Sequence, residues 1–433
     1  MKRMQLRMNR VAARWCHIMA AVTIIAALSI SCISSADDEL VVNTKVIHDN
    51  GRGSMGSIAF SSDGSCLVGV KDTTRLANRL FDFLSNQSNH VWEGEYVVYD
   101  VRTGKTDILP IPAGKCISAR VVPVGRDKNG KIPESDVVSV QLVSPKQLGV
   151  EGNRFDGIKV KSVKSGKTIA TFPLKKDSPK HNLSISVDSA FTALAICNYE
   201  PLKGNKYFYH RGRFELWSLS DQQRRISRDS EDIGYYSVGF SPDGATLALG
   251  GGKTVTVPKA LTFGKRSVVL DVPSHSAMIN VWGVVEGKEL KSFAYGETRG
   301  IHSVVFSRDG KILVTGDLDG SLMWWRASTG EQIAKVKLDV PKPIKGRSYG
   351  GPRIYCCALS PSGETLAVGV GSWNRGSRWG EVRLVDMQSK KVFATVWENH
   401  IQVILNVQFS NDGKMLAASS VDGTLMLWEL RSE

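Results

Sequence analysis

Short apolar runs recur down most of this chain, with polar residues at alternating positions and turn-forming pairs between them. The clearest stretch is the last. Leu405, Val407 and Phe409 lead to Asn411-Asp412-Gly413, Leu416 to Ala418 lead to Asp422-Gly423, and Leu425 to Trp428 close the run. Asn-Asp-Gly and Asp-Gly tolerate the positive φ of tight hairpin turns, so the pattern predicts three short antiparallel strands. Three such strands cannot bury both faces of their own sheet, and the unit therefore needs copies of itself as neighbours.

The copies are present. The first hairpin runs from Ser57 to Gly69 around Ser61–Gly64, and it returns around Ser241–Gly244, Ser307–Gly310 and Ser360–Gly363. A weaker copy surrounds Asp188, and the poorest, Ala119 to Val143, has a swollen turn. Third strands are predicted at Tyr96–Asp100, Ile158–Val163, Phe214–Trp217, Ile279–Trp282, Leu322–Trp325, Val382–Asp386 and Leu425–Trp428, which makes seven units. Fourth strands follow the first six, at Asp107, Thr168, Arg224, Glu289, Gln332 and Val392. The seventh has none. Leu40–Ile47 stands apart as a lone strand, and a three-stranded sheet would leave a naked edge, so this strand is expected to complete the last unit.

The closing unit resembles the WD-repeat family, whose blades begin near a Gly-His and end near a Trp-Asp. Asn399-His400 precedes Phe409 as the family's His does, Asp422-Gly423 fills the turn before the last strand, and Trp428-Glu429 takes the Trp-Asp place. The resemblance extends from about Leu40 to the end. It implies an all-β chain folded as a seven-bladed β-propeller, closed by pairing of the N-terminal strand with the C-terminal blade. It also implies a buried hydrogen-bond network in which His400, Asp422 and Trp428 take part. Ala418 stands where the family has a hydroxyl, so that network is partial in this blade.

A minimal repeat of this kind is ~40–45 residues. Two of the intervals between third strands match that length, and four carry insertions. Most of the extra length falls between second and third strands, at Lys71–Gly94, Asn198–Arg213, Gly251–Ala277 and Gly371–Gly380, which places it on one rim. Arg75, Arg79, Tyr207, Tyr209, Arg211, Lys265, Arg266, Trp373, Arg375, Arg378 and Trp379 sit there, and Arg interleaved with Trp and Tyr is the chemistry of binding hot spots. The alternative is that the aromatics fold inward while the charges solvate the insertions. Asp72 to Phe83 has the spacing of a short helix, with Asp72 as its cap.

The first 36 residues differ from the rest. Lys2, Arg3, Arg7, Arg10 and Arg14 precede the apolar run Ile18–Ile30, and Ser34-Ser35-Ala36 offers a cleavage site. That order is a secretory signal, and the apolar run is short for a membrane span. The expectation is therefore a signal peptide over 1–36 and a propeller over 37–433, exported to periplasm, envelope or medium. Lipidation at Cys32 is the alternative. Removing 1–36 lowers the net charge from +14 to +9, because five basic and no acidic residues leave. In an exported protein, basic character suits anionic polymers or lipid headgroups, or simply solubility, and no nucleic acid is expected. Membrane association is expected only through lipidation or an anchor. The remaining cysteines, Cys66, Cys116, Cys197, Cys356 and Cys357, fall in or beside strands without C-x-x-C spacing, which suits buried thiols better than a disulfide framework.

The catalytic signals fail. Gly51 to Gly56 satisfies G-x-G-x-x-G but precedes a strand, so no helix N-terminus faces a phosphate. The Gly-Lys-Thr triplets at 104–106, 166–168 and 252–254 lack the earlier glycine of a phosphate loop. No nucleophile elbow occurs, and the histidines and cysteines have no metal-ligand spacing, so neither metal nor cofactor is expected. The reading is a non-catalytic scaffold that binds a protein partner through the insertion-bearing rim. The rivals are an envelope enzyme with an active site at the channel mouth and a binder of anionic glycan.

Overall fold

The computed structural model describes residues 41–48, 53–73, 94–111, 116–123, 137–143, 157–173, 181–188, 193–201, 210–263, 266–298, 300–340, 351–374, 377–400 and 402–431. All regular structure among them is strand. β1 (Val41–His48) is followed by a sheet of β2 (Ser54–Phe60), β3 (Cys66–Asp72), β4 (Gly94–Asp100) and β5 (Thr106–Ile111). The second sheet is β6 (Cys116–Pro123), β7 (Val137–Val143), β8 (Gly157–Ser162) and β9 (Thr168–Pro173), and the third is β10 (His181–Val187), β11 (Ala193–Pro201), β12 (His210–Ser218) and β13 (Arg224–Ser230). The fourth holds β14 (Ile233–Phe240), β15 (Thr246–Phe263), β16 (Arg266–Gly283) and β17 (Lys288–Glu297). The fifth holds β18 (Ile301–Phe306), β19 (Ile312–Asp317), β20 (Ser321–Arg326) and β21 (Gln332–Lys337). The sixth is β22 (Arg353–Leu359), β23 (Thr365–Asn374), β24 (Ser377–Asp386) and β25 (Val392–His400). The seventh is β26 (Ile404–Phe409), β27 (Met415–Ser420) and β28 (Leu425–Leu430), with β1 paired antiparallel to β28 from Val41 opposite Leu430 to His48 opposite Leu425.

The first strands of successive sheets touch in order, and β26 touches β2 in turn, so these strands surround a common axis. The arrangement is that of a seven-bladed β-propeller. Its core lies between the blades. Phe214 and Leu216 of the third sheet bury against Leu247, Leu249 and Trp282 of the fourth, and Val97 and Tyr99 of the first bury with Ala417 and Leu427 of the seventh. Each inner face thus removes its apolar positions from water only by meeting the next sheet. Hydrogen bonds also join the first and last sheets: Phe60 N–H donates to Gln408 Oε1 at 3.3 Å, and Asn411 Nδ2 donates to Ser62 O at 2.8 Å.

The Ser-x-Asp-Gly turns repeat one hydrogen-bond pattern. Ser61 Oγ donates to Asp63 Oδ1 at 2.8 Å, and the same oxygen accepts the Ser65 N–H at 2.9 Å. Asp243, Asp309 and Asp412 do likewise with Ser241, Ser307 and Ser410. Donors from Ser65, side chain and backbone, hold the Asp63 carboxyl down to about 2. The glycine after each Asp takes a positive φ of about 70°, a conformation in which glycine has no steric cost.

The blade tryptophans are fixed in different ways. In the fifth sheet Trp325 Nε1 donates to Thr315 Oγ1 at 2.9 Å. The equivalent register position in the third sheet is Ile196, which has no acceptor, and Trp217 Nε1 turns instead to Glu215 Oε2 at 3.1 Å. Glu215 is 1% exposed, and Arg213 and Arg224 stand at 3.8 and 3.3 Å from its Oε1. Burial pushes its carboxyl above the usual range, against the pull of Trp217 and the two guanidinium groups. In the seventh sheet Trp428 is buried, and Asp422 accepts the Thr424 N–H at 3.0 Å in the turn before β28. His400 closes β25, and its side chain lies outside the described set.

Three of the four insertions expected as loops are extensions of the second and third strands. Asn198–Pro201 pair with His210–Arg213, Gly252–Phe263 with Arg266–Ala277, and Gly371–Asn374 with Ser377–Gly380. The physical reason is visible in Thr254-Val255-Thr256-Val257 on one strand and Val268, Val269 and Val272 on the other, where β-branched residues favour an extended ladder over an open loop. Of the expected helix, Asp72 is the last residue of β3 and residues 74–83 lie outside the described set. Cys197, Cys356 and Cys357 form no disulfide, and burial raises their thiols, that of Cys357 to about 12.

Candidate functional site

Every first strand carries one extra residue at the same place. The pairing of β2 with β3 steps from Met55–Lys71 to Ser57–Val70, which leaves Gly56 over, and β14 with β15 steps past Tyr236 in the same way. The same step leaves Ile117, His302, Tyr355 and Leu405 in β6, β18, β22 and β26, and it covers Asn182-Leu183 in β10. A bulge re-aims its residue and ends regular pairing, and bulges gather beside functional sites. Because the first strands surround the axis, the seven bulges form a ring. They face the far ends of the second strands, so the ring lies at the end of the propeller from which the strand extensions emerge.

Among the described residues, Ser57 and Ser237 link neighbouring blades at this ring. Ser57, immediately after the bulge, accepts the Val121 N–H of the next sheet at 3.2 Å, and Ser237 Oγ donates to Ile301 O at 3.2 Å. Between them the bulges project aromatic surface. Tyr236 stacks on His302 of the next blade with ring centres 4.7 Å apart and planes 12° apart, and both are half-buried. Gly300 has a φ of +95° and lies under the Tyr236 ring, where a Cβ would clash with Cε2 and Cδ2. Tyr355, also half-buried, occupies the same position one blade further on.

Sequence reasoning missed these residues, although a signal was present. In five of the seven first strands the bulged residue stands four places before the apolar residue that closes the strand, as Tyr236 does before Phe240 and His302 before Phe306. Of the residues expected on the rim, Arg211 is half-buried on β12, opposite Glu200. Arg266 pairs across from Phe263 near the tip of the long ribbon, and Trp373 pairs across from Arg378. Trp379 needs correction. It is 2% exposed and packs with Trp324, Val370 and Val385 in the core between the fifth and sixth sheets, so it is not a surface anchor. Its place on β24 turns it to the inner face, as the inward alternative anticipates. Arg75, Arg79, Tyr207, Tyr209, Lys265 and Arg375 lie outside the described residues. Among the described residues no three His, Cys, Asp or Glu side chains are grouped to hold a metal ion.

Comparison with known proteins agrees with the architecture. The family model "WD domain, G-beta repeat" matches residues 287–326 and 391–429, the regions containing the third strands β20 and β28. The chain is 27% identical over 161 residues to the U3 small nucleolar RNA-associated protein 21 homolog of Schizosaccharomyces pombe, covering 37% of this chain and 16% of that protein. It is 25% identical over 152 residues to small ribosomal subunit protein RACK1y of Oryza sativa subsp. japonica, covering 35% and 41%. With eukaryotic translation initiation factor 3 subunit I of Rattus norvegicus the identity is 24% over 213 residues, covering 40% and 63%. The chain thus spans less than two thirds of each of these relatives. Residues 287–326 and 391–429 thus match WD repeats, and the seven four-stranded sheets that include them have the architecture of a WD-repeat propeller.

Proposed function

We propose that this protein is a non-catalytic interaction scaffold that holds a protein partner at the bulge-bearing end of the propeller. The relatives support the class, since their names describe a nucleolar RNA-associated protein, a ribosomal subunit protein and an initiation factor subunit, all parts of larger assemblies. The observation that carries the choice of face is the ring of bulges with Tyr236 stacked on His302. Aromatic groups fixed between neighbouring blades lose little freedom on binding, and such anchors concentrate binding energy. The test is capture of partners from the native source with Tyr236→Ala plus His302→Ala, against Lys311→Ala plus Lys414→Ala on the opposite turns. Capture should weaken by about thirtyfold for the first pair, the loss expected of a hot spot of about 2 kcal/mol, with the control unchanged. Loss in the control alone would place the partner on the other face.

The proposal includes export. The basic start, the apolar run Ile18–Ile30 and Ser34-Ser35-Ala36 support removal of residues 1–36. Protein isolated from its native source should begin at Asp37. An intact Met1, or a lipid-modified Cys32 at the N-terminus, would replace that reading.

A further inference from the structure

The long hairpin of the fourth sheet outruns its neighbours. β14 stops pairing with β15 at Ile233–Lys253, and β17 stops pairing with β16 at Ser276–Glu297. Beyond them, ten further pairs run from Thr254–His275 to Phe263–Arg266 as a two-stranded ribbon, and no third strand pairs with it among the described residues. At the rise of a strand it is about 34 Å long. A two-stranded ribbon on its own is marginally stable in water and needs something to cover its apolar side.

The register sorts its residues. By register Val255, Val257, Leu261 and Phe263 share one face with Val272, Leu270, Val268, Ser274 and the two basic positions Lys259 and Arg266. Thr254, Thr256, Pro258 and Thr262 share the other with His275, Pro273, Asp271 and Ser267, where Ala260 opposite Val269 is the one wholly aliphatic pair. The edges are blunted. A proline survives in a ladder only where its nitrogen points away from the partner strand, so Pro258 and Pro273 each remove an outward donor, one from either edge. Pairing with a further strand is therefore disfavoured, and the apolar face is what remains to be covered. That face is about 350 Å² for a ribbon of this length and two-strand width, well under the roughly 800 Å² per partner of a stable protein interface. The segment 254–275 carries Lys259, Lys265 and Arg266 against Asp271, on a chain of net charge +14, so a second copy would meet its own sign. A bilayer surface needs no shape complementarity, and an anionic one matches both the apolar positions and the charge.

We propose that the ribbon Thr254–His275 seats its Val/Leu face in the surface of an anionic lipid bilayer. This surface is separate from the aromatic ring and does not depend on the scaffold proposal. The test is co-sedimentation of the full chain with phosphatidylcholine vesicles with and without phosphatidylglycerol. Binding should require phosphatidylglycerol and weaken as salt rises. Leu261→Ser with Val268→Ser should lower it about tenfold or more, since two apolar positions leave the interface. A second variant, with Lys253 joined to Ser276 through Asn-Gly, keeps the four-stranded sheet and should lose binding as well. The proposal falls if the full chain ignores anionic vesicles, or if the shortened hairpin binds them as well as the parent does. It falls equally if the shortened hairpin instead dissolves a dimer of the parent, because the ribbon would then seat on a second copy. Capture of the protein partner should be unchanged in both ribbon variants.

Discussion

Deletion of Val41–His48 should leave a protein that aggregates or melts far below its parent. β28 would lose six register pairs. Cross-strand side-chain pairs are worth ~0.2–1 kcal/mol each, and their hydrogen bonds net about 1 kcal/mol apiece. The loss of about 5 kcal/mol is comparable with the whole stability of an ordinary domain, ~5–15 kcal/mol. Lys45 adds a tie to the first blade, its Nζ donating to Tyr99 Oη at 2.6 Å and lying 4.9 Å from the ring centre. Urea midpoints and size-exclusion profiles of the chain with and without these residues decide the matter. A truncated chain that stayed monomeric with an unchanged midpoint would mean that the pairing contributes nothing.

Substituting Glu215 should have the next largest effect. Glu215→Ala leaves Trp217 Nε1 without its acceptor and removes the carboxylate from between Arg213 and Arg224, and breaking a buried pair in this way costs about 3–5 kcal/mol. Arg213 keeps Asp229, so the lower end of that range is expected. Glu215→Gln retains an acceptor for the indole and should cost about 1 kcal/mol. The two variants should also differ from the parent in pH dependence. Burial raises the folded-state value of Glu215 above its unfolded one. Its titration therefore adds stability that is complete below the unfolded value and is lost as pH rises through the folded one. Denaturant melts from acid to neutral pH should show the parent losing more stability with rising pH than Glu215→Gln does. The same slope in the variant would mean that another group titrates. Glu331→Ala, which breaks an exposed pair with Arg326, is the control and should stay within about 0.5 kcal/mol.

Much of the architecture could be read from turn chemistry. Asp63-Gly64, Asp243-Gly244, Asp309-Gly310 and Asp412-Gly413 announce their hairpins because few other pairs tolerate that backbone. The tryptophans mark third strands because a large ring between blades has few substitutes. The bulges were harder. Gly56, Tyr236, His302 and Leu405 share no chemistry, because a bulge is decided by how two strands pair and not by the residue left over. The ribbon was misread as a loop for a related reason. Its β-branched run is interrupted by Pro258 and Lys259, and only the opposing segment Ser267–Pro273 shows that the interruption is tolerated. Trp379 illustrates the limit for single side chains: an aromatic beside Arg378 fits a binding rim or a core equally well until the strand's face is known. The pairing of Trp217 with Glu215 had no signature, since it replaces a hydroxyl that Ile196 does not supply.

The union of β1 with β28 also sets an order of events in time. Val41 and Leu430 meet across nearly the whole length of the chain, so the strand made first among these sheets waits for the strand made last. During synthesis the first six sheets can each form from consecutive hairpins, whereas the seventh must await β28. Until then β1 is a strand without its partner, with backbone donors and acceptors open to another edge. The interval between synthesis of Val41 and of Leu430 is therefore when the chain is most exposed to the wrong neighbour, and a chaperone or a rapid passage through that interval would matter more to yield than the stability of the finished ring.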